Sequence, residues 1–354
     1  MKILFISVGL GQHYCLQPVE DELRSRGCKT HSICAWSGGV LNSTTLNQIY
    51  DYNDFDAVVC TGAGSLRSKF KKEGIEVKTW ITMYHGCSAK NALDPWVINK
   101  DRDLLIVPGK LWYDYWMNMH EDIDRNKPNV VIGGFPKTDF LINNRNNINL
   151  FKKLIRIKYD FINDFPIVLY APTFSTGKTT SSHGTLYQLS NLYKLFKNEK
   201  LNLLVATHPG DMTGHVLNEV VDGKRYDGVK YCFNFNKNEE ILGSDVIISD
   251  SSSMSFESSL ISKPVIQYLP EDNSIMLKTF SRITEEEMIL GPVLFAPRDN
   301  NKLIKTVYES LEEPHKYKVQ QRRWSSRLNS GCDGHATSRC ADLIEKLVND
   351  RKIS

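Results

Sequence analysis

Residues 245–266 read DVIISDSSSMSFESSLISKPVI, and this stretch decides the fold prediction. The apolar run at 246–248 predicts a strand, and the polar turn at 250–253 predicts the start of a short helix. A second apolar run begins at Val265. Strand, serine-rich turn, helix and strand in this order are typical of an α/β sheet.

The same rhythm of short apolar runs and amphipathic stretches extends along the chain in both directions. The runs are KILFIS, DAVVC, LLIVPG and NVVIGG in the first half, and PIVLYAPT, LNLLVATHP, KPVIQYLP and PVLFAP in the second. Because they are uniformly apolar rather than alternating, they predict parallel sheets that helices cover on both faces.

Two domains are expected, because 354 residues exceed what one domain usually needs. An asparagine-rich stretch at 143–149 separates the two series of apolar runs. We predict two doubly wound, Rossmann-like domains at 1–160 and 161–354, with a cleft between them. The tail at 302–348 reads as helical with an interruption near Ser330-Gly331, and its helices cap the second domain or cross back to the first.

Charge, apolar run length and cysteine spacing exclude several classes of protein. A formal net charge of +3 does not indicate nucleic acid as a partner. The N-terminus MKILFISVGLGQ reads as a first strand rather than a signal peptide, and no apolar run reaches the roughly 18 residues of a spanning helix. A cytoplasmic protein is therefore expected. Eight cysteines without CxxC pairs predict reduced thiols, and Cys332, His335 and Cys340 fit no usual zinc spacing, so no metal is expected.

The turn after the strand at 246–248 opens a helix in a position where anions bind. Amides at a helix N-terminus carry positive dipole character, and the hydroxyl groups of Ser251, Ser252 and Ser253 add donors without bulk. Simple N-capping is the alternative, since serine and aspartate are favoured caps. Three serines exceed what one cap requires, so the sequence predicts a diphosphate site. Glu257 is expected to contact a ribose hydroxyl or, alternatively, to stabilise the helix dipole.

Two histidines follow strands in different halves of the chain. His85 comes after VKTWITMY, and His208 comes after LNLLVAT. Ligands of open parallel sheets bind beyond the carboxyl ends of the strands. A histidine there can accept a proton from an attacking hydroxyl or stabilise charge on a phosphate. The pair therefore favours phosphoryl transfer, and the alternative is that each histidine only bonds the backbone at a strand end.

The loop after PIVLYAP offers polar side chains at another strand end. Thr173, Ser175 and Lys178 could contact donor or acceptor phosphates, or belong to a solvated loop. The GKT at 177–179 is not a P-loop, because Pro172 stands where that motif requires glycine.

Paired glycines follow the first strand and the DAVVC strand. Gly9 and Gly11, and likewise Gly62 and Gly64, predict tight turns that expose backbone at the cleft edge. Neither pair completes the GxGxxG of a dinucleotide site. Gly11 and Gly64 are therefore candidates for the acceptor side of the cleft.

Taken in order, these segments resemble the CDP-glycerol glycerophosphotransferase family, which builds teichoic acids and related capsule polymers on a GT-B scaffold. The resemblance spans most of residues 80–300. The matching segments, each followed by the family pattern, are His85-Gly86 with Lys90 (WHGTxxK), Gly134 to Asp139 (GxPRxD), Tyr170 to Thr173 (YAPT), His208-Pro209 (HP), Ser249 to Phe256 (TDYSSxxFD), Lys263-Pro264 (KP) and Gly291-Pro292 (PGP).

The resemblance implies roles for particular residues. His85 would be the base on the acceptor hydroxyl, His208 would stabilise the transferring phosphate, and Ser251–Ser253 with Arg282 would hold the diphosphate. Lys90 joins the acceptor-side candidates, and neither a metal nor another cofactor is implied. The sequence departs from the family pattern where Tyr84 replaces tryptophan, Cys87 and Ser251 replace threonine and tyrosine, and Glu257 occupies the region of the final carboxylate.

The sequence predicts a transferase that moves glycerol phosphate, or a related polyol phosphate, from a CDP-linked donor to a hydroxyl of a glycan or lipid-linked acceptor in cell-surface polymer synthesis. A nucleotide-sugar glycosyltransferase and a non-catalytic nucleotide- or glycan-binding module remain alternatives, and a sugar epimerase ranks below them. The basic stretches RSKFKKEG and FKKLIRIK are expected to approach anionic lipid at the inner face of the membrane, although solvated helix faces look alike.

Overall fold

The computed structural model describes residues 1–7, 10–34, 55–61, 66–84, 86, 102–119, 129–173, 188–207, 226–234, 236–250, 252–270 and 289–353. Within them the chain forms two compact units. Unit 1 comprises Met1–Cys87, Asn91–Asp139 and Ser326–Ser354, and unit 2 consists mainly of Phe140–Ser325. The boundary predicted from the sequence, between residues 160 and 161, divides the chain into two independently folding domains. This division stays a prediction.

The described elements alternate between strands and helices along most of the chain. In the first part they are β1 (Lys2–Ser7), α1 (Leu10–Ser25), β2 (Lys29–Cys34), β3 (Ala57–Thr61), α2 (Leu66–Lys72), β4 (Thr79–Met83), β5 (Leu104–Val107), α3 (Lys110–Met119), β6 (Asn129–Ile132), α4 (Asp139–Asn143) and α5 (Ile148–Lys158). The remainder are β7 (Ile167–Ala171), α6 (Leu189–Phe196), β8 (Asn202–Ala206), β9 (Lys230–Cys232), α7 (Asn238–Gly243), β10 (Val246–Ser249), α8 (Ser253–Leu260), β11 (Val265–Pro270), β12 (Val293–Ala296), α9 (Asn300–Glu312), α10 (Lys318–Leu328) and α11 (Ala336–Ile353).

Unit 1 is built on a parallel sheet with the strand order β2-β1-β3-β4-β5-β6. Successive residues of β1 point to opposite faces, so both faces carry a core. Ile3 and Phe5 pack with α1 and with the C-terminal helix α11, to which Ile344 belongs. Leu4 packs on the other face with Phe70 of α2.

Unit 2 is built on a second parallel sheet, in the order β12-β11-β10-β7-β8-β9. Its main core joins the central strands to α6 and α9. Helices α5 and α7 pack closely, because α7 ends at Gly243: a Cβ atom there would lie 2.6 Å from Cδ1 of Ile155. Among the described residues, no helix combines the length and the apolar character needed to cross a bilayer.

Most of the sequence-based elements are confirmed, and the differences have physical reasons. The uniformly apolar runs form parallel strands, and the helical tail is interrupted between α10 and α11. Strands β2 and β9 were not predicted, because they are edge strands with half-exposed residues and therefore lack a continuous apolar run. The prediction of a tight turn at Gly11 was wrong: α1 begins at Leu10, so Gly11 lies in the first helical turn.

Candidate functional site

The helix start predicted from the sequence is formed at the carboxyl end of β10. Ser252 is the N-cap of α8, with extended backbone angles (φ −65°, ψ 147°), and its hydroxyl oxygen accepts a long hydrogen bond of 3.4 Å from the Met254 amide. A hydroxyl that accepts one hydrogen bond through its oxygen can still donate its own hydrogen to a phosphate oxygen. Capping and anion binding are therefore compatible at Ser252.

Asp250 ties this helix start to the neighbouring strand. Its carboxylate is 1% exposed and accepts the Thr173 amide with both oxygens, at 2.9 and 3.0 Å, and the Ser252 amide at 3.1 Å. Because β7 and β10 are parallel neighbours, Thr173 and Ser252 follow adjacent strand ends on one edge of the sheet. Hydrogen bonds to an ionised acceptor are stronger than neutral ones, so Asp250 holds two loops in a defined geometry.

Further serines of α8 bond to the helix itself. The hydroxyl groups of Ser255, Ser258 and Ser259 donate to backbone carbonyls three or four residues earlier, at 2.5–2.7 Å. All three residues are buried. The serine content of this segment therefore serves helix packing as well as the cap, which narrows the anion-binding candidates to the first turn.

The structure describes some of the predicted donor-site residues, whereas others lie outside the described residues. Thr173 and Ser252 are brought together through Asp250, Ser253 is half-buried in the first helical position, and Glu257 lies one turn further along α8 with 1% exposure. Their contacts with a donor stay predictions. Eight predicted site residues lie outside the described residues: Gly64, His85, Lys90, Ser175, Lys178, His208, Ser251 and Arg282. The described part of the chain contains no cluster of three or more His, Cys, Asp or Glu side chains placed to hold a metal ion.

The carboxyl edge of the sheet continues through β8 and β9. The Thr207 hydroxyl, directly after β8, donates to the carbonyl of Cys232 at the end of β9, at 3.2 Å. Phe233 follows and is 39% exposed, with its ring stacked on Tyr231. Phe233 was not predicted as a site residue, because β9 is too short and too polar to be recognised as a strand from the sequence.

In unit 1, the departure from the family pattern at Tyr84 has a structural explanation. Tyr84 is buried directly after β4, and its hydroxyl oxygen accepts a 2.6 Å hydrogen bond from Nε1 of Trp116. Its ring centroid lies 4.6 Å from that of Trp112, and the Arg102 guanidinium is 5.6 Å from the Trp116 ring. A buried phenol needs a hydrogen-bond partner, and Trp116 supplies it.

The segment from Gly134 to Asp139 anchors the C-terminal helix. The Asp139 carboxylate accepts the amides of Ala336 and Thr337, at 3.1 and 2.7 Å, and so caps the start of α11. Gly134 has φ +93°, and a Cβ atom there would lie 2.0 Å from the Gly331 carbonyl oxygen. This motif therefore has a structural function in unit 1.

The KP motif lies at the opposite edge of the unit 2 sheet, before β11. The Lys263 ammonium is buried and donates to the carbonyls of Leu242, at 2.7 Å, and Ser244. Burial lowers the pKa of Lys263 to about 7. Gln321 of α10 donates to the carbonyls of Lys263 and Leu290, both at 2.9 Å. These donors satisfy backbone groups at the amino ends of the strands.

Gly291-Pro292 also lies at this amino edge, before β12. A Cβ atom on Gly291 would lie 1.7 Å from the Val265 carbonyl oxygen, so only glycine allows the two backbones to approach. The KP and GP motifs are thus bracing elements at the amino edge, whereas Thr173, Asp250 and Ser252 lie at the carboxyl edge.

The chain is similar to known teichoic acid polymerases. A family model described as CDP-Glycerol:Poly(glycerophosphate) glycerophosphotransferase matches residues 71–346. The teichoic acid poly(ribitol-phosphate) polymerase of Bacillus spizizenii is 28% identical over 233 residues, 63% of this chain and 35% of that protein. The teichoic acid poly(glycerol phosphate) polymerase of Staphylococcus epidermidis is 22% identical over 307 residues, 78% of this chain and 40% of that protein. The chain therefore spans well under half the length of these two relatives.

The fold also resembles a solved structure. The wall teichoic acid polymerase TagF matches 99% of this chain and 90% of the solved chain, with a TM-score of 0.70 and 18% identity. At this identity the likeness concerns the fold alone. Together with the two parallel sheets, it confirms the GT-B-like α/β fold class predicted from the sequence.

Proposed function

The chain belongs to the CDP-glycerol:poly(glycerophosphate) glycerophosphotransferase family, and from that premise we propose that it transfers a polyol phosphate from a CDP-linked donor to a hydroxyl group of a glycan or lipid-linked acceptor. The family resemblance drawn from the ordered motifs is thereby confirmed. The relatives' names mention both glycerol phosphate and ribitol phosphate, so the proposal covers either polyol.

The helix start at β10 is the observation that carries the proposal. A buried carboxylate fixes the loops after β7 and β10, and the cap hydroxyl of Ser252 and the first turn of α8 lie at the carboxyl edge. Helix N-termini at this edge of a parallel sheet bind phosphate groups. We assign the diphosphate of the donor to Ser251–Ser253 with Thr173 and Arg282, and its ribose to Glu257.

In the proposed reaction the acceptor oxygen attacks the phosphorus atom that carries the polyol. The new phosphodiester bond forms as the bond to the bridging oxygen of the diphosphate breaks, and CMP leaves. His85 accepts the proton of the acceptor hydroxyl, and His208 stabilises the charge on the transferring phosphate. Gly64 and Lys90 are proposed for the acceptor side, and Gly11 is proposed there through its position in the first turn of α1. Positioning and charge stabilisation supply most of the rate.

Replacing the proposed base tests this reaction. We expect His85→Ala to lower the rate of CMP release at least about 100-fold, with CDP affinity nearly unchanged, because the base acts on the acceptor. His315→Ala, an exposed histidine of unit 2, is the matched control and should retain the wild-type rate. Wild-type turnover in His85→Ala would remove His85 from the mechanism.

Analysis of the product distinguishes the alternatives. A phosphodiester linkage with release of CMP supports the proposed reaction, whereas a glycosidic linkage with release of a nucleoside diphosphate identifies a glycosyltransferase. Nucleotide binding without turnover, in the presence of a suitable glycan acceptor, identifies a binding module.

We also propose that the protein works at the cytoplasmic face of the membrane through α5. Leu150, Leu154 and Ile157 form an exposed aliphatic stripe on this helix, and Ile157 is 79% exposed. Lys153 is exposed beside the stripe, and α5 contains no acidic residue. Helices with an aliphatic stripe and basic flanks lie in the lipid interface.

Vesicle flotation tests the membrane contact. The wild type should float with phosphatidylglycerol vesicles, and Ile157→Glu should remain in the dense fraction. Val319→Glu changes a residue of similar exposure (83%) on α10 and should float like the wild type. Equal flotation of all three proteins would exclude α5 as the contact.

A further inference from the structure

Phe233 is an exposed aromatic residue that the proposed reaction does not yet use. It directly follows β9 and is 39% exposed. Its ring is nearly parallel to that of Tyr231, with an interplanar angle of 15° and a centroid distance of 6.2 Å. Tyr231 packs against the main core of unit 2. The core thus supports the Phe233 ring through Tyr231 and leaves part of the ring open to solvent.

The loop around Phe233 is anchored on both sides. The Thr207 hydroxyl donates to the carbonyl of Cys232, which precedes Phe233. The buried ammonium of Lys237 donates to the carbonyl of Asn234, which follows it. Binding of a planar ligand to an exposed aromatic ring on an anchored loop costs little conformational entropy, because the position of the ring is already defined.

The ring lies on the same edge of the sheet as the candidate diphosphate site. Strands β10, β7, β8 and β9 are consecutive parallel neighbours, so their carboxyl ends share one edge. Three strand spacings of 4.7–4.9 Å separate the end of β10 from the end of β9, about 14 Å in total. A nucleoside diphosphate bound by its phosphates at α8 can therefore direct its base toward β9.

We propose that Phe233 is the stacking platform for the base of the nucleotide donor. This inference rests on the proposed function for the identity of the donor. Stacking on an aromatic ring tolerates any base, because every base has a π-face. Phe233 therefore contributes affinity for the nucleoside and leaves the choice between cytosine and uracil to other contacts.

Titration calorimetry with CDP, UDP and inorganic pyrophosphate tests the platform. We expect Phe233→Leu to weaken both nucleotides by about tenfold and by the same factor, in keeping with the stacking energies of single bases. Affinity for pyrophosphate should not change, since it has no base. Phe233→Trp should retain the nucleotide affinity of the wild type.

Phe140→Leu is the matched control, because Phe140 is also a surface phenylalanine of unit 2, at 41% exposure, and lies on α4. It should bind all three ligands like the wild type. Wild-type CDP affinity in Phe233→Leu would overturn the proposal, as would an equal loss of CDP and pyrophosphate affinity, which would indicate general damage to the phosphate site. A wild type that binds none of the nucleotides would also overturn it.

Different outcomes contradict the proposed stacking platform and the proposed reaction. A Phe233-dependent affinity for CDP, without release of CMP from a CDP-polyol in the presence of acceptor, supports the platform and contradicts the proposed reaction. Release of CMP at the wild-type rate and KM in Phe233→Leu supports the reaction and overturns the platform.

Discussion

Strand β10 has an aspartate beyond each end, and the two carboxylates bond to opposite ends of β7. At the amino edge, Asp245 accepts the Ile167 amide at 2.9 Å and pairs with Lys152. At the carboxyl edge, Asp250 accepts the amides of Thr173 and Ser252. The two contacts are chemically alike, and the one at the carboxyl edge adjoins the N-terminus of α8. The same type of bond therefore braces one edge and shapes a candidate binding site at the other.

At the amino edge, side chains donate hydrogen bonds to backbone carbonyls of the protein itself. Gln321 bonds two carbonyls, and Lys263 bonds two more. A surface pocket beside this edge includes Thr306 and Ser310, whose hydroxyl groups donate to carbonyls of their own helix. The motifs shared with the family thus include bracing residues that need not touch a substrate. Four predictions test the contrast between the two edges of the unit 2 sheet.

The largest expected effect is at Gly291, on the amino edge. We expect Gly291→Ala to lower the free energy of unfolding by about 4 kcal/mol or more, because the new Cβ atom would collide with the Val265 carbonyl oxygen. Urea titration measures the change. Gly228→Ala is the control: Gly228 has φ +76° but open space around it, so about 1 kcal/mol is expected. Equal costs at both glycines would contradict close packing of β11 against the β12 loop.

Lys263 should make stability depend on pH. Its pKa is lowered to about 7 by burial, whereas an unfolded lysine titrates near 10.4. Between these values the unfolded state binds the additional proton, so stability rises with pH. The difference in free energy of unfolding, wild type minus Lys263→Met, should increase by about 2 kcal/mol from pH 7 to 9. A difference independent of pH would show that the folded lysine stays charged.

Substitutions of Asp250 and Asp245 should both lower stability, but only the substitution of Asp250 should weaken CDP binding. We expect Asp250→Asn to cost about 2 kcal/mol of stability, because it replaces one charged acceptor oxygen by a donor that faces backbone amides. It should also weaken CDP several-fold, since the loops at the candidate site lose their anchor. Asp245→Asn should reduce stability without changing CDP affinity in calorimetry. Equal effects on CDP affinity would remove the functional difference between the edges.

Ser252 should show the smallest effect. Loss of the N-cap in Ser252→Ala is expected to cost about 1 kcal/mol of stability, measured by urea titration, with a several-fold loss of pyrophosphate affinity. Ser259→Ala, further along α8, removes a buried hydroxyl that bonds Phe256 and should leave pyrophosphate affinity unchanged. Unchanged affinity in both variants would leave Ser252 as a cap only.

Local patterns predicted the central strands better than the sites at their ends. The central strands of both sheets are completely buried, so their apolar runs are visible in the sequence. The edge strands β2 and β9 lack such runs, and Phe233 was missed together with β9. The serine-rich helix start was recognised, but the role of Asp250 was not, because its partner Thr173 is 77 residues away.

The sequence by itself determined the parallel α/β class, the helix start at Ser252 and, through the order of its motifs, the family. Burial periodicity and capping act between near neighbours, so they can be read from the chain. Only the tertiary structure decided which edge of the sheet each motif occupies. That choice depends on strand order, which places β10 beside β7, and strand order follows from burying whole sheet faces against helices that are distant in the chain.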